Sequence, residues 1–100
     1  MNKINLSGRM ASDVDYRDGE KPIARFTVAV NRIGKDEADF IRCVAFGKTA
    51  EFVSNYLKKG QEICVIGRLQ INSYTDKDGN KTSSADVIVS NHEFCGKKED

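Results

Sequence analysis

A single change of period organises this chain. From Thr49 onward Ala50, Val53, Tyr56 and Leu57 recur at helical spacing, whereas residues 3–7 and 26–30 alternate at the period of two that marks a half-buried strand. Thr49 suits the start of that helix, Lys58 and Lys59 its last turn, and Gly60 a left-handed stop, which predicts about two to three turns. Three strands are expected before it, over residues 3–7, 26–30 and 39–46. Turn residues at 18–22 join the first two into a long hairpin, and a polar loop at 33–37 leads into the third. After the helix a fourth strand spans 63–71, and its interior Gly67 predicts a bulge or sharp bend. A turn at 75–80 then leads to a last strand through Ala85, Val87, Ile88 and Val89 towards Phe94.

Three strands, a helix and two strands is the order of the five-stranded Greek-key OB-fold barrel, an all-β fold with one short helix between strands three and four closing one end. The 100 residues, 39% of them hydrophobic, supply one core, so a single domain over 1–100 is expected. No apolar run approaches the roughly 18 residues of a membrane span, and the first residues lack a secretory pattern, so a cytoplasmic protein without membrane attachment is expected. Cys43, Cys64 and Cys95 form an odd set without a C-x-x-C pair or neighbouring histidines. They read as reduced thiols packed like small hydrophobes rather than as a disulfide framework or a metal site. His92 is the only histidine, and neither a nucleophile motif nor a phosphate-binding glycine loop is present. The expectation is therefore a binding protein, not an enzyme, with no cofactor and no small-molecule substrate.

The third strand carries the functional pattern. Side chains alternate along it, so Phe40, Arg42, Val44 and Phe46 share one face, while Ile41, Cys43 and Ala45 share the other and read as core. The first set puts an aromatic, a guanidinium and a second aromatic in one row, with alternate residues about 7 Å apart, close to the spacing of splayed bases. Every base has a π-face, so such platforms hold a single strand without reading its sequence, and nearby cations hold its phosphates. A strand phenylalanine is ordinarily core; sharing a face with Arg42 sets Phe40 and Phe46 apart, because an arginine rarely enters a core unpaired. Tyr74, just before the turn, reads as loop material that either stacks a base or packs along the hairpin. A net charge of +1 confines any basic surface to a local patch, for which Lys3, Arg9, Arg17, Arg25, Arg32, Arg42, Lys48, Lys58, Lys59 and Arg68 are the candidates.

On the stretches NKINLSGR at 2–9, ARFTVAVNR at 24–32, DFIRCVAFGK at 39–48, AE at 50–51, YLKKG at 56–60 and GRL at 67–69, with Tyr74, the chain resembles the bacterial single-stranded DNA-binding protein family. The resemblance implies an OB fold that binds single-stranded DNA in replication, recombination and repair. It implies base stacking on Phe40, Phe46 and Tyr74, and a DNA path along Lys3, Arg17, Arg42, Lys48, Lys58 and Lys59. It also implies self-assembly, as a homotetramer or a dimer, through the first strand and the outer sheet faces. The chain departs from the family pattern in having no tryptophan, which lowers the expected stacking area and affinity, and in having no basic residue over 70–73 and a short 33–37 loop without an aromatic, which interrupts the wrapping path the resemblance implies. The Gly/Pro-rich tail with an acidic tip that the resemblance also implies is not among these residues, so the expected unit is the OB domain alone. The same scaffold serves accessory subunits, primosome-like or RNA-binding, and fold alone does not separate those from a DNA binder.

Overall fold

The computed structural model describes residues 1–90, so the expected approach of the last strand to Phe94, together with His92 and Cys95, lies outside the described residues. The elements run β1 (Ile4–Met10), β2 (Asp15–Arg17), β3 (Ile23–Asn31), β4 (Ala38–Phe46), α1 (Gly47–Tyr56), β5 (Glu62–Thr75) and β6 (Lys81–Val89). The sheet order is β1-β5-β6-β4-β3-β2, and a further β1–β3 pairing closes β1, β5, β6, β4 and β3 into a ring. All pairings are antiparallel except β4 with β6, which run parallel through Cys43 on Val87 and Val44 on Ile88. This is the OB-type barrel expected from the order of elements.

The long first hairpin does not form as expected. β1 meets β3 only at Arg9 on Ala29 and Met10 on Val28, and the tight hairpin partner of β3 is the short extra strand β2, with Arg17 on Ile23. Most of β1 is instead taken by β5, from Ile4 on Gly67 to Arg9 on Glu62. The second hairpin is longer than expected: β5 continues to Thr75 and β6 begins at Lys81. Tyr74 is therefore a strand residue paired with Thr82, not loop material. Its turn is held by Asp76, whose Oδ1 accepts from the backbone N–H groups of Asp78 and Asn80 at 3.0 and 2.8 Å.

Gly67 marks the barrel corner. It pairs with Ile4 of β1 and with Val89 of β6, so β5 passes from one partner strand to the other at this residue. A side chain here would run into the Ile88 carbonyl, which explains the glycine by close backbone approach.

The helix spans Gly47–Tyr56, with Phe46 at the N-cap and no side-chain cap there among the described residues, so Thr49 lies inside the first turn rather than at its start. Gly47 takes φ 62°, a left-handed conformation at the strand-to-helix junction, and donates its N–H to Pro22 at 2.9 Å. The other end also differs from expectation. Leu57 leaves the helix in extended conformation and is buried, so Lys58 and Lys59 stand beyond the last turn. Burial of Leu57 overrides the local preference for continuing to Gly60, which instead donates to Met10 at 2.8 Å on the way into β5.

The core joins Met10, Phe26, Val28, Val65 and Val87 of the sheet to Ala50 and Val53 of the helix. Cys43 belongs to it as a free thiol, and burial, with the Asp86 carboxylate adding to it, pushes its pKa up to about 12. It packs as a neutral small hydrophobe, as expected. Cys64 is also free and is half-buried. Among the described residues no helix is long and apolar enough to cross a membrane.

Because no room exists beside Gly67, Gly67→Ala is expected to destabilise the domain by about 1 to 3 kcal/mol, read as a lowered urea midpoint. An unchanged midpoint would show that the corner tolerates a side chain.

Candidate nucleic-acid interface

The alternation read in the third strand holds in β4. Ile41, Cys43 and Ala45 turn inward, half-buried or buried, while Phe40 and Phe46 are 69% and 42% exposed. Arg42 lies between them on the outer face, with its side chain 60% exposed. About 20 Å of extended strand separates Phe40 from Phe46.

Cross-strand register shows what else shares this face. Phe46 stands beside Ile23, and Ile23 beside Arg17; Val44 stands beside Arg25, and Arg42 beside Thr27. On the other side Val44 pairs with Ile88 and Ile88 with Arg68, so the outer face continues onto β6 and β5. Along β5 the same face carries Gln70, Asn72 and Tyr74, and Tyr74 is 55% exposed. Phe40, Arg42, Phe46, Arg17 and Tyr74 are thus brought to one surface, with Arg25 and Arg68 beside them.

The other candidates are placed differently. Arg32 is engaged by Glu37 at 3.0 Å and Asp39 at 2.8 Å, a cluster that closes the β3–β4 loop. Its hydrogen bond to Asp39 raises the arginine and holds the carboxyl below its usual range. Arg9 pairs with Glu62 at 2.9 Å. Lys3 is exposed between Ile4 and Asn2, whose side-chain amide exchanges two hydrogen bonds with the Leu69 backbone, at 2.6 and 2.9 Å. Lys48 is exposed in the first turn of α1. Lys58 and Lys59 lie in the α1–β5 loop, where the Lys59 backbone N–H donates to Asp13 Oδ1 at 3.4 Å.

Sequence reasoning missed Asp86. Its carboxylate lies 3.0 Å from Arg42 Nε and accepts from Asn72 at 3.0 Å, so the guanidinium in the middle of the aromatic row rests on an acid from β6. Nothing in the local pattern around residue 86 announces this, because the partner is supplied by the parallel β4–β6 pairing.

An OB-type barrel whose outer strand face alternates aromatics with a guanidinium defines a class of single-strand nucleic-acid platforms. Comparison with known proteins narrows that class. Residues 1–95 match the single-strand binding protein family, and the chain belongs to it. It is 44% identical to a single-stranded DNA-binding protein of Clostridium perfringens over 94% of this chain and 65% of the relative. It is 41% identical to single-stranded DNA-binding protein 1 of Clostridium acetobutylicum over 100% of this chain and 98% of the relative. Similarity to single-stranded DNA-binding protein 1 of Streptococcus pyogenes is 37% over 99% of this chain and 82% of the relative. The chain therefore spans just under two thirds of the C. perfringens relative and nearly all of the C. acetobutylicum one.

The exposure of the two β4 phenylalanines sets them apart from the core. Phe40→Ala is expected to change stability by less than about 1 kcal/mol and Phe46→Ala by about 1 to 2, against about 3 to 5 for the buried Phe26→Ala. Urea denaturation of the three variants checks this, and a loss at Phe40 comparable to that at Phe26 would make Phe40 a core residue.

Proposed function

We propose that this chain binds single-stranded DNA without regard to sequence, as one OB domain that performs no chemistry, and thereby protects exposed strands in replication, recombination and repair. The observation that carries this reading is the row Phe40, Arg42, Phe46 on the outer face of β4, two exposed aromatics with a guanidinium between them. Stacking on Phe40, Phe46 and Tyr74 is available to any unpaired base and denied to bases already stacked in a duplex. Arg17, Arg42, Lys3, Lys48, Lys58 and Lys59 serve the phosphates, whereas Arg32 serves mainly to order its loop.

Assembly into a homotetramer is part of the same reading. From Ile4 to Ser7 β1 is paired with β5 alone, so its other edge is free for a second copy, among the described residues. Several barrels around one strand compensate for phenylalanine and tyrosine platforms and a net charge of only +1. A cytoplasmic, nucleoid-associated location accords with such a substrate.

Fluorescence anisotropy with a deoxythymidine oligomer, and with duplex DNA and RNA of equal length, tests the reading across a salt series. Strong preference for the DNA single strand is expected. Phe40→Ala and Phe46→Ala are each expected to weaken binding by ~1 to 3 kcal/mol, the range known for OB-fold single-strand binders, this family among them. Equal affinity for duplex, or a preference for RNA, would overturn it. Light scattering on the same preparation reads the assembly, with four copies expected and a monomer contradicting it.

A further inference from the structure

The stretch of β5 that lacks basic residues is bonded from side chain to side chain. Arg68 Nη2 donates to Gln70 Oε1 at 3.1 Å, and Gln70 Nε2 donates to Asn72 Oδ1 at 3.0 Å. Asn72 Nδ2 in turn donates to Asp86 Oδ2 at 3.0 Å, and Asp86 Oδ1 forms the ion pair with Arg42 Nε. These five side chains make one continuous polar ladder across the outer face of β5, β6 and β4, with an arginine at each end. Asp86 is recessed beneath the surface, its side chain 16% exposed against 60% for Arg42. Both of its oxygens are occupied within the ladder.

We propose that Asp86 is a positioning residue for DNA binding: by engaging Arg42 at Nε it holds the guanidinium between Phe40 and Phe46, with its terminal nitrogens left to take a phosphate. A free arginine side chain is rich in rotamers, and ordering it at the moment of binding weakens association. The carboxylate orders it beforehand. Contact through Nε leaves the terminal nitrogens, which form the fork that grips a phosphate in two-point fashion. Asn72 fixes the carboxylate from its other oxygen, and Gln70 fixes Asn72, so the uncharged residues of β5 act by holding the acid rather than by touching DNA. This inference rests on the proposed single-strand binding.

Positioning and simple charge make opposite forecasts, which makes the test decisive. Asp86→Asn removes a negative charge from a surface that meets phosphates, so electrostatics alone gives tighter binding. Positioning gives weaker binding. The experiment measures a deoxythymidine oligomer by anisotropy, across a salt series, with the full chain, Asp86→Asn, Arg42→Ala and the double variant. Asp86→Asn is expected to weaken binding about threefold to tenfold, corresponding to one ordered side chain. In the Arg42→Ala background the same change is expected to cause no loss. Arg42→Ala itself is expected to lower the salt slope by roughly 0.7, one phosphate contact on a single strand.

Asn72→Ala supplies a second variant that keeps all charges, should Asp86→Asn fail to fold. It is expected to weaken binding about twofold to threefold, again only when Arg42 is present. Unchanged or tighter binding by both variants, or an equal loss with and without Arg42, would overturn the proposal. Such a result would leave single-strand binding intact, whereas failure of the unmodified chain to bind the oligomer would refute the underlying function instead.

Discussion

The parallel register of β4 on β6, with Cys43 against Val87 and Val44 against Ile88, joins the three strands around the aromatic row. It sends Cys43 and Val87 into the core and leaves Val44 and Ile88 outside, continuous with Arg68. Because side chains alternate strictly along a strand, a slip of one residue would bury Phe40, Arg42 and Phe46 and expose Ile41, Cys43 and Ala45. Such a slip would put a guanidinium in the core and turn apolar groups to water, so the hydrophobic pattern fixes the register strongly. The same pairing carries Arg42 to Asp86. Barrel closure, core composition and the layout of the outer face are therefore aspects of one strand contact.

Much of this was legible in local pattern. The alternation of 39–46 separates a buried set from an exposed one, and β4 obeys it. The lone helical interruption at Ala50 and Val53 places the helix between the two strand groups, and those two residues are its buried ones. What was not legible depends on distant partners. Leu57 ends the helix early because the core takes its side chain, a demand that cap preferences do not encode. The β5–β6 hairpin extends beyond the apolar run because cross-strand hydrogen bonding continues through Asn72 on Ser84 and Tyr74 on Thr82, where neither face is strongly apolar. Local sequence gives Arg32 the look of a free cation, yet Glu37 and Asp39 meet it across the β3–β4 loop.

The charge of this face is carried by arginines, with Arg17, Arg25, Arg42 and Arg68 on it and Asp86 recessed among them. Its amides, Gln70 and Asn72, are bonded within the sheet face rather than aimed outward as base-edge readers. In the proposed reading, stacking beside such engaged neighbours gives sequence tolerance, since discrimination between bases requires aimed donors and acceptors. On the same proposal, individually modest platforms make assembly of several copies the route to tight binding.

The most direct test of the central claim, that single-stranded DNA lies along the outer face of β4, is backbone and side-chain chemical-shift mapping on addition of a deoxythymidine oligomer. Perturbation is expected to follow Phe40, Arg42 and Phe46 and to extend across β3 to Arg17 and along β5 to Tyr74. Residues of the Arg9–Glu62 pair, on the opposite closure of the barrel, are expected to move little. Shifts confined to that closure or to α1, with the β4 face unmoved, would contradict the account.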